Sequence, residues 1–356
     1  LIFRDAINSP DFPGNVFTTL NRLGDIMSLS LQSITDSDLS LLEALCSVHG
    51  PSGNESAVRD FILKHIKSEM ESWVAKPEIF SGDEYQNNLM LVFGKPRTAL
   101  YAHMDSIGYT VRYDMNLIKI GGPLAQQFTL LKGEDSGGPF IGTLIGEGNE
   151  LSVEVESHCD ASCDAPCEDQ TDRALEPGTD LVYHHDFRSG SRSIQSPYLD
   201  NRMGCWLALL AARTITDGVI CFTTWEEHGG GSAGYLSSQL YDRFGVRQSI
   251  ICDMTYVTEG IRSGRGPVIS MRDRHIPRRS YVDRVISIAR EAGIPFQIEV
   301  EASGGSDGSE IQLIHRPVDW CFIGVAEEHY HTPDEKVLKV DVINALKLHS
   351  ALMENL

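Results

Sequence analysis

Residues 202–255 read RMGCWLALLAARTITDGVICFTTWEEHGGGSAGYLSSQLYDRFGVRQSIICDMT, and their order decides the fold. From Arg202 to Thr216 the apolar residues recur at helical spacing. GVICFTTW, residues 218–225, is a short apolar run of the kind buried on both faces of a sheet. Ser232 to Phe244 returns to helical patterning, and QSIICDMT, residues 248–255, is a second buried strand. Helix, strand, helix, strand of this kind implies an α/β architecture, a mixed sheet covered by helices on both faces.

The pattern extends outward in both directions. On the C-terminal side Tyr281 to Ala292 predicts a helix, FQIEV and DWCFIGV predict strands, and Lys339 to Glu354 predicts a closing helix. On the N-terminal side SDLSLLEALCSVHG, residues 37–50, predicts a helix with Ser37 or Asp38 as its cap and Gly50 at its stop. A second helix follows from about Glu55, with Val58, Phe61, Ile62 and Ile66 on one face, and then the strand-like runs NLMLVFG and TALYAHMDS. Between residues 107 and 195 short strands alternate with Gly-rich turns and no long helix is evident, the composition of a small β unit. The expected organisation is therefore an N-terminal extension at 1–36, a first part of an α/β catalytic domain at 37–106, a β-rich, barrel-like insertion at 107–195 and the second part of the catalytic domain at 196–356.

Composition narrows the function. The chain has 30 Lys and Arg against 50 Asp and Glu, a formal charge of -20, which argues against nucleic acid as a partner because a phosphate backbone is bound by basic groups. The longest apolar run, Met203 to Ala212, is about half of the roughly 20 residues that span a bilayer, so no membrane helix is expected. Cys205, Cys221, Cys252 and Cys321 lie in apolar surroundings, where a thiol behaves as a small hydrophobe. That usage points to a reducing, cytoplasmic setting rather than a disulfide framework. Cys159, Cys163 and Cys167, crowded beside His158 and several acids, match no common zinc-knuckle spacing and read as a solvated acidic loop.

Metal-competent side chains gather where strands are predicted to end. In YAHMDSIGY, His103 and Asp105 sit two apart, so Asp105 is placed to orient the imidazole as carboxylates do for metal-binding histidines. In SPYLDNRMG, Asp200 precedes an apolar helix, where it would either cap that helix or bridge two cations. In FTTWEEHGGGSAG, Glu226 and Glu227 end a buried strand; adjacent acids there repel unless a cation balances them. Strand alternation would send the two in different directions, one to a metal and the other to serve as a general base. Asp253 follows a buried strand, and His331 precedes the last helix with His329 as a nearby competitor.

The segments ALCSVHGPSGNESAVRDFI, AHMDSIGY, LDNRMG, TTWEEHGGGSAG, CDMT, GGSDGSEIQLI and HYHTPDEKV, in that order, are similar to those of the tetrahedral aminopeptidases, dodecameric two-metal peptidases that include glutamyl and deblocking aminopeptidases. Seven motifs in register across nearly the whole chain after residue 37 make the resemblance specific. It implies a zinc-exopeptidase-like fold and two divalent metal ions, zinc in the first instance with cobalt or manganese as alternatives. His103, Asp200 and Asp253 would hold one ion and Asp200, Glu227 and His331 the other, with Glu226 as general base and Asp105 orienting His103. The implied partners are peptides with a free N-terminus and further copies of the chain in a dimer-based oligomer, up to a dodecamer. The chain departs from the family at Ser232, where glycine is usual, at Ser106, where an acid is usual, and in the Cys-rich segment.

Three other readings compete. An N-acyl amino acid deacylase or amidase would use the same metal site. A glycosidase would need two carboxyls about 5–9.5 Å apart around a sugar, and adjacent Glu226 and Glu227 with histidines around them suit metal binding better. A non-catalytic metal scaffold would not be expected to keep Glu226.

Overall fold

The computed structural model describes residues 34–155 and 173–356. The N-terminal extension up to residue 33 and the segment holding His158, Cys159, Cys163 and Cys167 lie outside the described residues.

Helices α1 (Asp36–Ser47) and α2 (Ser56–Glu69) precede strands β1 (Glu78–Ser81), β2 (Leu89–Phe93) and β3 (Thr98–His103). Then come β4 (Gly108–Val111), β5 (Leu117–Ile120), β6 (Leu130–Asp135), β7 (Gly138–Glu147), β8 (Glu150–Val155) and β9 (Asp180–Tyr183). The chain continues through β10 (Arg188–Ser189), β11 (Ser193–Gln195), α3 (Leu199–Ala212), β12 (Gly218–Thr223), α4 (Ser232–Phe244) and β13 (Gln248–Tyr256). It closes with β14 (Val268–Arg272), α5 (Arg279–Glu291), β15 (Gln297–Val300), α6 (Asp307–Leu313), β16 (Asp319–Glu328), β17 (Lys336–Leu338) and α7 (Lys339–Asn355).

Two sheets result. The larger runs β1-β2-β12-β3-β13-β16-β17-β11-β10, with β14 and β15 branching from β16. Its centre is parallel, β12 with β3, β3 with β13 and β13 with β16, while β1 and β2 run antiparallel. Strand alternation explains why both faces are covered. Leu100, Ala102, Ile220, Phe222, Ile250 and Cys252 join the core that holds the apolar faces of α1, α2, α3, α5 and α7. The intervening Ala99, Tyr101, Val219, Cys221 and Ile251 pack with Ala233, Leu236 and Leu240 of α4 and Ile311 of α6.

The smaller sheet has the order β5-β4-β9-β6-β7-β8. An isolated bridge between Asn116 and Ser152 joins its two ends, so the sheet curls almost closed around Tyr109, Leu131, Leu144, Leu181 and Tyr183. Tyr183 stacks on Tyr198, just ahead of α3, at 5.6 Å between ring centres and so ties this unit to the larger sheet. Residues 188–195, read from sequence as part of the insertion, instead pair with β17 in the larger sheet, because β11 finds its hydrogen-bonding partner there.

One predicted helix boundary also shifts. The cap of α1 is Thr35, not Ser37 or Asp38: Thr35 Oγ1 accepts from the Asp38 amide at 3.1 Å, and the Asp38 carboxylate accepts from the Thr35 amide. The helix stops at Val48 before reaching Gly50, since the carbonyls of both residues are drawn to the guanidinium of fully buried Arg202. Cys46, Cys205, Cys221, Cys252 and Cys321 are buried free thiols. Among the described residues no helix is long and apolar enough to cross a membrane.

Candidate metal centre

The parallel strands end along one edge of the large sheet, the place where open α/β sheets present polar groups to ligands. His103 is the last residue of β3, and Asp253 lies in β13, two strands' width from β12 and its following turn. Asp200 opens α3, with a cis peptide to Asn201, and His331 lies in the loop between β16 and β17. All face one cavity of about 460 Å³.

The side chains form two groups that share one residue. His103, Asp200 and Asp253 each bring a ligand atom within 4.8 Å of the others, and so do Asp200, Glu227 and His331. His103 Nε2 lies 3.2 Å from Asp200 Oδ1 and 3.4 Å from Asp253 Oδ1. On the other side of Asp200, His331 Nε2 is 3.6 Å from its Oδ2 and 3.4 Å from Glu227 Oε2. Glu226 belongs to neither group; its Oε2 approaches His103 Nε2 at 3.9 Å from within the cavity. His329 is exposed and lines no part of that cavity, whereas His331 does.

Glu226 and Glu227 diverge for a reason that alternation does not supply. Strand β12 ends at Thr223, and the pair begins a single 3-10 turn behind Trp225, whose φ is 64°. Asp105, fully buried, holds that turn: one carboxylate oxygen accepts from the Glu226 amide at 3.1 Å and the other from the Glu227 amide at 3.0 Å. Asp105 also faces His103 Nδ1, 3.5 Å from the carboxylate and 3.1 Å from the Asp105 carbonyl. It therefore positions both the imidazole and the two glutamates. Gly229, Gly230 and Gly231 all take positive φ after the turn, a run that side chains would resist.

The electrostatics of the centre call for cations. Burial, then repulsion from neighbouring acids, pushes the Glu226 carboxyl well above its ordinary range despite His103, and burial with Asp200 raises Glu227 likewise. Burial also raises Asp253. Burial would lower His103, but Asp253, Asp105 and Asp200 outweigh it and hold the imidazole high, and Glu227 and Asp200 do the same for His331. Glu227 Oε1 is buried without a hydrogen-bond partner among the described residues. Imidazole and carboxylate donors converging in this way suit divalent ions of the zinc type.

The small sheet reaches into the centre. His331 Nδ1 lies 3.1 Å from the Gly122 carbonyl, so the ring nitrogen away from Asp200 is the one that carries the proton. The Leu124 amide and the Tyr183 hydroxyl both donate to the His331 carbonyl, at 2.9 and 3.0 Å.

Four acids escaped the sequence reading. Glu55, 1% exposed, accepts from the amides of Gly53 and Trp225 and so braces the turn that carries Glu226. Asp307 opens α6, accepts from Thr223 Oγ1 at 2.5 Å, and is pushed up to about 7 by burial. Glu335 accepts from the Asp200 amide at 3.1 Å. Glu327 lines the cavity from the end of β16. Asp307 falls inside GGSDGSEIQLI and Glu55 inside GPSGNE, so the motifs held a signal for both; Glu327 had none.

Comparison with known proteins completes the description. The model of the M42 glutamyl aminopeptidase family matches residues 149–348. A lysyl aminopeptidase of Pyrococcus furiosus is 25% identical over 350 residues, which cover 90% of this chain and 97% of that protein. Among solved structures, an aminopeptidase from the archaeon Desulfurococcus kamchatkensis gives a TM-score of 0.76 at 22% identity, covering 90% of this chain and 95% of the other. The TET1 peptidase of Pyrococcus horikoshii, which can assemble into a tetrahedron or a large octahedral shell, gives 0.70 at 22% identity, covering 90% and 100%.

Proposed function

The chain belongs to the M42 glutamyl aminopeptidase family, and from that premise we propose that it removes single residues from peptides with a free N-terminus, using two divalent ions and Glu226 as general base. His103, Asp200 and Asp253 would hold one ion and Asp200, Glu227 and His331 the other. The observation that carries this reading is the pair of ligand groups sharing Asp200, with Glu226 beside them and outside both. Zinc is the first expectation, with cobalt or manganese able to occupy the same donors.

When bound, such a pair of ions supplies Lewis acidity, making an amide carbonyl more electrophilic and a water more acidic. The protein does the rest. Glu226 is aimed into the cavity by hydrogen bonds from its own backbone to Asp105, so its carboxylate is free to accept a proton from the attacking water. The same carboxyl then returns that proton to the departing amine. Asp105 keeps the His103 ring fixed through this cycle, and the Gly122 carbonyl does the same for His331. We extend the reading to assembly: the chain forms homo-oligomers, as the TET1 peptidase does.

The test is a panel of aminoacyl chromophores and their N-acylated counterparts, run on protein stripped of metal and reloaded with zinc, cobalt or manganese. Hydrolysis of the free-amine substrates that disappears on stripping and returns on reloading is expected. Turnover confined to the N-acylated compounds would replace this reading with a deacylase.

A further inference from the structure

Glu327 is an expensive residue without an evident employer. It is 1% exposed, and neither carboxylate oxygen has a hydrogen-bond partner among the described residues. The charged groups that act on it most strongly are Glu335, Asp200, Asp253 and Glu227, four acids. A buried carboxylate in that company is strongly unfavourable unless a cation comes to it. Yet Glu327 lies in neither ligand group, although it lines the cavity that both groups share.

Charge counting identifies what is missing. Two divalent ions bring four positive charges, and Asp200, Glu226, Glu227 and Asp253 already match them. Glu335 has the Asp200 amide as a donor. Glu327 lines the cavity with both oxygens buried and unpartnered among the described residues. A substrate cleaved from its N-terminus always carries one cationic group, the α-ammonium.

We propose that Glu327 binds the α-ammonium group of the substrate, so that the chain selects a free N-terminus through a carboxylate that is itself no part of the ligand groups. The proposal rests on the aminopeptidase reading above. Its position on β16 supports it: Glu327 pairs with Tyr256 of β13, three residues beyond Asp253, and all three residues line the same cavity. A basic substrate side chain is a different occupant, and the test separates the two.

Glu327→Gln keeps the shape and removes the charge. Binding is measured by calorimetry on the zinc-loaded protein, using leucine hydroxamate and its des-amino counterpart, 4-methylpentanoyl hydroxamate. The expected result is a loss of about 10- to 100-fold in affinity for the amine-bearing probe, as for one charged hydrogen bond, with the des-amino affinity unchanged. Metal content should stay at the wild-type value and the variant should melt at a higher temperature, since an orphaned charge has gone. An unchanged ratio between the two probes overturns the proposal, as does a fall in metal content. A variant that alters only the preference for lysine over leucine probes also overturns it. If the wild-type protein itself hydrolyses only N-acylated compounds, the aminopeptidase reading fails first and independently.

Discussion

His349 allows a prediction whose size comes from its surroundings. It sits in α7, fully buried, with Nε2 lacking a hydrogen-bond partner among the described residues and Nδ1 3.9 Å from Cys252 Sγ. Burial lowers its ordinary value of 6.5 to about 4, against a smaller opposing effect of a backbone hydrogen bond at Ala345. The folded state therefore stays neutral while the unfolded chain takes up a proton as pH falls through 6.5. Stability at this residue is intact above 6.5, declines below it, and stops declining near 4, where the folded state protonates as well. Between pH 7.5 and 5 the loss is about 2 kcal/mol, at 1.36 kcal/mol for each unit over which only the unfolded state is protonated. His349→Leu removes the effect while keeping an apolar filling. Urea unfolding of both proteins at the two pH values isolates the residue, because every other titrating group is common to them. The stability gap between variant and wild type should shift by about 2 kcal/mol in the variant's favour at the lower pH. Equal acid losses in the two proteins would refute the reasoning, by showing that His349 protonates as readily folded as unfolded.

The remaining expectations follow from the centre and its supports. Glu226→Gln should retain its metal while turnover falls by orders of magnitude; near-normal rates would remove the general-base assignment. His331→Ala should lose about one ion per chain by elemental analysis, and an unchanged content would count against its place in the second group. Tyr183→Phe deletes the hydroxyl that donates to the His331 carbonyl, so competition with a chromogenic chelator should find metal affinity down by about 10-fold, the lower bound for a lost outer partner. Gly308→Ala puts a methyl 2.2 Å from the Trp320 ring, and thermal melting should reveal a cost of about 1–3 kcal/mol, as for other overpacked cores.

Most of the centre was legible because its residues fall at the ends of strands whose apolar runs are unmistakable. His103 ends β3 in TALYAHMDS, and Asp253 lies in QSIICDMT, so knowing the strands nearly locates both side chains. What could not be read was the path between strands. The divergence of Glu226 from Glu227 depends on a turn held by Asp105 and Glu55, which lie more than a hundred residues upstream, and a local period has no access to such partners. Glu327 was invisible for a related reason: an acid near a strand end is usually solvated, and only the packing around the end of β16 reveals that this one is not, whereas Glu335 falls inside HYHTPDEKV. Thr35 displaced the expected cap because the Asp38 carboxylate turns back to accept from the Thr35 amide, and Arg213, 2.8 Å away and remote in sequence, holds the same carboxylate.

The loop of the small sheet that grips His331 also bears on when the protein becomes active. Two corners of the centre are separated by most of the chain, and His331 is held by residues 122, 124 and 183. A chain emerging from the ribosome can pair the strands of the small sheet early, but β3 lies between β12 and β13 and His331 follows β16, so both ligand-competent groups wait for those later strands. The centre, and any activity that depends on it, is thus assembled only when nearly the whole chain has been made.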